Sequence, residues 1–153
     1  MSESIYWDKS HNVTILLYHL VFSAKYRRVV FSEKSEKVDL VIRNVCLEIE
    51  KRYDVKFLEI GTDKDHVHFL VQSVPKLCVT NLVRMIKSIV AKEVFKLAPE
   101  VKKQLWGGEF WSDGFFASTV GRHGDELSLK NHVRNQGKAD YKTIHTDYQL
   151  KLF

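Results

Sequence analysis

The sequence predicts an α+β fold, in which helices cover one face of an antiparallel sheet. Two kinds of apolar segment predict it: some are rich in β-branched and aromatic residues, as strands are, and others carry apolar residues at three- and four-residue steps, as helices do. Two of the strand-like segments also follow one another closely enough to form a hairpin. The chain has 153 residues, of which 44% are hydrophobic and 28% are charged. These values are typical of a globular domain and exclude a mainly disordered chain.

The first half of the chain contains three predicted strands and one predicted helix. Residues 13–22 are β-branched and aromatic with no breaker residue, which predicts a strand. Residues 38–49 have apolar positions at helical spacing, and Ser32 precedes them as a candidate N-cap. Residues 55–61 and 66–73 are the next two strands, and the short polar turn between them favours an antiparallel hairpin.

Two further helices and one strand are predicted in the second half of the chain. Residues 82–97 have helical apolar spacing, with Thr80 or Asn81 as the N-cap. Residues 115–120 form the fourth strand, and a last helix covers about residues 126–135. The order strand, helix, strand, strand, helix, strand is the split βαβ, or ferredoxin-like, pattern. The last helix is an addition to that pattern.

The whole chain, residues 1–153, is predicted to be a single domain with a core over about residues 12–137 and a polar tail at 138–153. Its 24 Lys and Arg against 19 Asp and Glu give a formal net charge of +5, which fits a nucleic acid or another anionic partner. No apolar run predicts a signal peptide or a membrane span. The two cysteines, Cys46 and Cys78, form no CxxC pair. We therefore expect a cytoplasmic protein in which both thiols are buried.

Two histidines stand inside the third predicted strand. His66 and His68 are two residues apart, so they project from the same face of that strand. Two imidazoles on one face are a first pair of ligands for a divalent metal, although a bare HxH is more often a pair of solvated histidines. Asp65 directly before the pair favours the metal site. Gln136 offers a side-chain carbonyl as a third ligand, but sequence spacing alone does not bring it to the histidines.

A basic cluster with an aromatic residue inside it follows the first predicted strand. It consists of Lys25, Tyr26, Arg27 and Arg28. Lys and Arg side chains bind phosphates, and a nucleic-acid base can stack on a tyrosine ring or a guanidinium plane. The alternative is an ordinary solvated loop at the end of a strand. The cluster therefore predicts a DNA-binding segment without excluding that simpler interpretation.

Four segments occur in an order and at a spacing that match one family. They are YHLVFSAKYRR at residues 18–28, GTDKDHVHFLV at 61–71, LWGGEFWSDGFFASTVG at 105–121 and HVRNQ at 132–136. Together they resemble the HUH-type single-tyrosine transposases of the insertion-sequence 200/605 family, over roughly residues 12–137. The resemblance implies a ferredoxin-like domain that acts as a homodimer. It also implies binding to single-stranded DNA hairpins at the ends of a mobile element.

The resemblance also implies roles for individual residues. His66 and His68 match the histidine pair of the family, and Gln136 matches its third metal ligand. The metal, Mg²⁺ or Mn²⁺, would polarise the scissile phosphate during DNA strand cleavage and joining. In the family, a tyrosine four residues before that glutamine attacks the phosphate and becomes linked to the 5′ end. The helix that carries this tyrosine is often exchanged between the two subunits.

The chain departs from the family pattern at the nucleophile, because His132 occupies the position of the tyrosine. Three alternatives follow: the DNA and metal sites are kept without nicking, which we favour; His132 is itself the nucleophile; or His132 is an extra metal ligand. Tyr141 could replace the tyrosine only if the tail folded back. We therefore expect a transposase-type protein, and the alternative is a non-catalytic, hairpin-binding regulator derived from a transposase. A plain metal-binding domain is a weaker third possibility.

Overall fold

The structure, a computed structural model, describes residues 7–9, 11–31, 36–105 and 107–121. Its elements lie within the first of the two units into which the chain divides, Met1–Val120. In chain order they are β1 (Trp7–Lys9), β2 (Asn12–Thr14), β3 (Leu16–Ser23), a 3₁₀ turn (Lys25–Arg27), α1 (Glu36–Arg52), β4 (Lys56–Asp63), β5 (His66–Ser73), α2 (Val79–Leu97), α3 (Pro99–Gln104) and β6 (Phe116–Thr119).

The main sheet has four strands in the order β4-β5-β3-β6, and every neighbouring pair is antiparallel. α1 connects β3 to β4, the strands β4 and β5 form the predicted hairpin, and α2 and α3 connect β5 to β6. β3, the first strand of this sheet in chain order, therefore lies between β5 and β6, which are the last two in chain order. This is the split βαβ arrangement, and the predicted α+β, ferredoxin-like fold is confirmed.

One face of this sheet packs into the hydrophobic core. Side chains on a strand alternate between the two faces of the sheet, so every second residue of a central strand points inward. Five of the inward residues of β3 and β5 are fully buried: Leu20, Phe22, Val67, Phe69 and Val71. We call this side, with the helix residues packed on it, the helix face. Its burial is the main source of stability, at roughly 25 cal/mol for each Å² of apolar surface removed from water.

The residues that the helices bury are mainly the apolar ones that recur at three- and four-residue steps in the sequence. In α1 the buried residues are Val38, Val41, Ile42, Val45, Cys46 and Ile49. These are the six apolar residues whose spacing predicted the helix. In α2 the buried residues are Leu82, Val83, Ile86, Val90 and Val94. The N-terminus of α2 was predicted at Thr80 or Asn81, whereas the helix begins at Val79 with Cys78 as N-cap and no side-chain cap hydrogen bond.

The remaining side chains of the strands form the opposite face of the sheet, and three of them are histidines. We call this side the histidine face; in the described strands it includes His19, Val21, His66, His68, Leu70 and Phe116. The strand register sets Val21 opposite both His68 and Phe116, so the central strands and β6 contribute to a continuous surface. These side chains are half-buried or, in the case of Phe116, exposed.

Some details differ from the sequence predictions. The first predicted strand is divided, because β2 pairs with β1 in a separate two-stranded sheet and β3 begins at Leu16. Cys46 is buried, which raises the pKa of its thiol to about 12. Cys78 is exposed, so the prediction that both thiols are buried is wrong for Cys78. Cys78 is the N-cap of α2 and, like Thr80 and Asn81 in the first turn, it faces solvent.

The predicted cap residue Ser32, the predicted last helix at residues 126–135 and the predicted polar tail at residues 138–153 lie outside the described residues. Within the ranges that the structure describes, no helix combines the length and the apolar character needed to cross a bilayer.

Candidate functional site

Three imidazoles meet on the histidine face. His66 and His68 project from the same side of β5, with ring centroids 4.9 Å apart. His19 of the neighbouring strand β3 meets His68 edge to edge, with the two rings close to one plane: the centroid distance is 5.2 Å and the interplanar angle is 14°. Sequence reasoning missed His19. Alternation along the strand shows which face it occupies, but only the pairing of β3 with β5 brings it to His68.

Each of the two predicted metal ligands uses its Nδ1 atom for a hydrogen bond within the protein. Nδ1 of His66 is 2.8 Å from Oδ1 of Asp65, and Nδ1 of His68 is 2.9 Å from Nε2 of His19. Metal-binding histidines are commonly fixed in this way by an outer partner on the second ring nitrogen. The arrangement leaves Nε2 of both rings as the nitrogen for an external ligand.

The electrostatic environment favours this use at His68. The pKa of Asp65 is lowered, first by its hydrogen bond to His66 and then by Arg27, so the carboxylate is ionised. The pKa of His68 is lowered, chiefly by burial and further by the neighbouring His66 and His19. A histidine must be neutral to coordinate a metal, and the environment of His68 stabilises that form.

The surroundings of the rings leave room and supply negative charge. Gly61 of β4 is the register partner of His68, and a Cβ atom built at Gly61 would meet nothing within 4 Å. Asp63, two residues further along β4, places Oδ2 3.8 Å from Nε2 of His66. Because Gly61 has no side chain, there is open space beside the ring of His68. The carboxylate of Asp63 borders this space.

The donor set fits two ligands of a divalent cation. With metal–nitrogen bonds of about 2.1 Å, two imidazoles on one cation have ring centroids roughly 4.6–5.3 Å apart for angles between a right angle and the tetrahedral angle, and the observed separation is 4.9 Å. Within residues 7–9, 11–31, 36–105 and 107–121, no group of three or more His, Cys, Asp or Glu side chains can hold a metal by itself. Gln136 and His132, the predicted third ligand and the residue at the nucleophile position, lie outside these ranges.

The basic cluster forms a strained turn that is connected to the histidine pair. Tyr26 and Arg27 have φ angles of 59° and 54°, a backbone region that costs side-chain-bearing residues about 1–3 kcal/mol each. Nε of Arg27 donates to Oδ2 of Asp65 over 2.6 Å, and the amide of Lys25 donates to the carbonyl of Phe110 over 2.9 Å. Asp65 therefore contacts both Arg27 and His66, which joins the turn to the candidate metal ligand.

The four predicted DNA-binding residues differ in how available they are. Nζ of Lys25 is 2.6 Å from Oε2 of Glu109, and this contact raises the pKa of the lysine. Arg27 is paired with Asp65. Tyr26 and Arg28 are exposed, and in the part of the chain that the structure describes neither has an ion pair. Sequence composition did not reveal the carboxylate partners, since Glu109 comes from a segment far along the chain.

Comparisons with known proteins agree with this fold and these motifs. The family model described as "Transposase IS200 like" matches residues 12–136. The chain is 28% identical over 124 residues to the transposase for insertion sequence element IS200 of Salmonella typhimurium, covering 80% of this chain and 78% of the relative. It is 27% identical over 122 residues to the ISDra2 transposase TnpA of Deinococcus radiodurans, covering 79% and 84%.

A solved structure shares the fold. It is the crystal structure of a proposed transposase from Deinococcus radiodurans, with a TM-score of 0.63 and 24% identity. The match covers 85% of this chain and 97% of that one. At this level of identity the likeness concerns the fold.

Proposed function

This chain belongs to the family of IS200-like transposases, and from that premise we propose that it binds single-stranded DNA hairpins at the ends of a mobile element, with metal-dependent cleavage and joining of the DNA strand. The single observation that carries the proposal is the state of the histidine pair. Both Nδ1 atoms are engaged by Asp65 and His19, and both Nε2 atoms are left for a cation.

The proposed cation site consists of His66, His68 and Gln136. The bound ion is Mg²⁺ or Mn²⁺, and its chemistry would be to polarise the scissile phosphate. The protein's own contribution is to hold the two imidazoles in fixed orientations, and the lowered pKa of His68 favours the neutral form of that ring. Gln136 would add the oxygen ligand that such hard cations prefer.

The proposed DNA contacts lie on the turn next to this site. Arg28 would bind a phosphate, and Tyr26, whose exposed fraction is 57%, would stack on an unpaired base. Lys25 and Arg27 are already paired with carboxylates, so we assign them mainly to shaping the turn. The ion pair of Arg27 with Asp65 would keep the DNA-binding turn close to the cation ligands.

The family resemblance also supports a homodimer as the working form, and DNA as the substrate favours the cytoplasm. The sedimentation behaviour of the purified full chain, alone and with a hairpin, tests the homodimer.

A second function is favoured by one residue, His132, at the position of the family's tyrosine. Loss of the phenol removes the usual nucleophile, while the described cation and DNA residues are retained. The protein would then be a non-catalytic regulator that recognises hairpins. It would bind DNA tightly and with strong salt dependence, but it would not cut it.

The experiment that separates these functions uses the full chain, a library of labelled single-stranded hairpins, and Mg²⁺ or Mn²⁺. A covalent protein–DNA adduct on a denaturing gel establishes cleavage. Loss of the adduct in His132→Ala with unchanged Mn²⁺ affinity identifies His132 as the nucleophile, whereas loss of both identifies it as a metal ligand. Retention of the adduct in His132→Ala with loss in Tyr141→Phe identifies Tyr141. Hairpin binding without an adduct establishes the regulator. Equal affinity for hairpin and duplex at physiological salt overturns the DNA proposal.

A further inference from the structure

His19 lies between two aromatic neighbours on the histidine face. On one side its edge meets the edge of His68, with the two rings close to one plane, and on the other the ring of Phe116 lies across it, with centroids 5.8 Å apart and an interplanar angle of 71°. The imidazole is half-buried. A ring held from two sides has little freedom to turn, so its contact with His68 is a fixed feature of the two strands.

The polar contact between the two imidazoles constrains their tautomers. Nε2 of His19 and Nδ1 of His68 are 2.9 Å apart, so one of these atoms must carry the proton and the other must accept it. If Nε2 of His68 is to bind a cation, that atom needs its lone pair, and the proton of the ring must be on Nδ1. His68 is then the donor, His19 accepts through Nε2, and His19 carries its own proton on Nδ1.

We propose that His19 is a positioning residue for His68, holding the ring in the tautomer and orientation that present Nε2 to the divalent cation. This inference rests on the proposed function, because it presupposes the cation site. His19 acts through His68 and does not itself coordinate, since its Nε2 faces His68. Asp65 has the corresponding contact with Nδ1 of His66. The two proposed ligands on β5 would thus be held by different partners: His66 by the carboxylate of Asp65 and His68 by the imidazole of His19.

The first measurement is ¹⁵N NMR of the metal-free full chain, which distinguishes the two tautomers of each histidine. The Nδ1–H tautomer is expected for both His19 and His68. The Nε2–H tautomer at His68 would overturn the proposal, because that ring could not offer Nε2 to a cation. This readout does not depend on whether the protein cuts DNA.

The second measurement is Mn²⁺ affinity by calorimetry, with Mn²⁺ alone as the ligand. His19→Phe keeps an aromatic ring against Phe116 but removes the acceptor, and it is expected to weaken Mn²⁺ binding by roughly 10- to 100-fold, the usual effect of losing such an outer partner. His19→Gln restores an acceptor and is expected to recover most of the affinity. The matched control is His11→Phe, which removes an exposed imidazole and is expected to leave binding unchanged.

The outcomes separate this inference from the function on which it rests. If the unaltered chain binds no Mn²⁺, the cation site fails and the role of His19 fails with it. If the unaltered chain and His19→Phe bind Mn²⁺ equally, only the role of His19 is overturned. A loss in His19→Phe that His19→Gln does not recover, together with a lowered melting temperature in both variants, assigns His19 to packing and also overturns it.

Discussion

The two faces of the four-stranded sheet are built from alternate residues of the same strands, yet they differ in almost every physical respect. On β5, Val67, Phe69 and Val71 are completely buried under the helices, whereas His66 and His68, which alternate with them, are half-buried and hydrogen-bonded to polar partners. One strand therefore supplies both the core and the candidate site. Because neighbours in sequence point in opposite directions, substitutions one residue apart should separate stability from function.

The largest expected effect is on the helix face. Phe69→Ala removes a ring that packs on Phe22 and Phe57 and should lower the free energy of unfolding by about 3–5 kcal/mol, because the buried cavity cannot fully collapse. Urea denaturation measures it. The control is Leu70→Ala, the next residue on the opposite face, for which a clearly smaller loss is expected. Equal losses for the two variants would contradict the contrast between the faces.

The next effect is on the histidine face. His66→Ala removes a proposed cation ligand, so Mn²⁺ affinity should fall by more than the roughly 10- to 100-fold typical of an outer partner. The free energy of unfolding should change by only about 1 kcal/mol, because the ring is half-buried and lies on the face of the sheet opposite the core. Calorimetry and urea denaturation give the two numbers. Unfolding of His66→Ala under native conditions would show that the two faces are not separable.

A smaller effect is expected one step further from the cation. Asp65→Asn keeps the shape of the side chain but removes the charge that contacts both His66 and Arg27. Mn²⁺ binding should weaken by about tenfold, near the lower end for outer partners. Asp63→Asn is the comparison, since that carboxylate is 3.8 Å from His66 and makes a looser contact. A larger effect at Asp63 than at Asp65 would reverse the assigned roles.

The smallest effect concerns the basic turn that follows β3. Arg28→Ala should leave stability and Mn²⁺ binding unchanged while weakening hairpin binding. If one phosphate contact is lost, the slope of log affinity against log salt should become shallower by about 0.7. Lys51→Ala makes the same change in net charge on α1, where the lysine pairs with Glu48, and should not alter the slope. An identical change in both variants would assign the effect to overall charge.

The helix face could be predicted from sequence because it depends on local periodicity. The spacing of apolar residues in α1 identified the positions that the structure buries, and alternation in β5 placed His66 and His68 on one side. The order of elements then implied the ferredoxin-like topology. Each of these inferences uses residues that are close together in the chain.

Much of the candidate site could not be predicted in this way because its contacts join distant segments. His19 meets His68 only through the pairing of β3 with β5, and Lys25 meets Glu109 across 84 residues of chain (109 − 25). The left-handed backbone at Tyr26 and Arg27 also has no signal in residue type, since neither residue is glycine. The roles of Gln136 and His132 stay predictions.

The strand order has a consequence for the durability of the site. β3 and β5, which carry all three histidines of the candidate site, are interior strands, each hydrogen-bonded to a neighbour on both sides. Their amide protons should be among the slowest in the molecule to exchange with deuterium, because exposing them requires the whole sheet to come apart. The relative placement of the three rings should therefore persist on heating up to the melting transition.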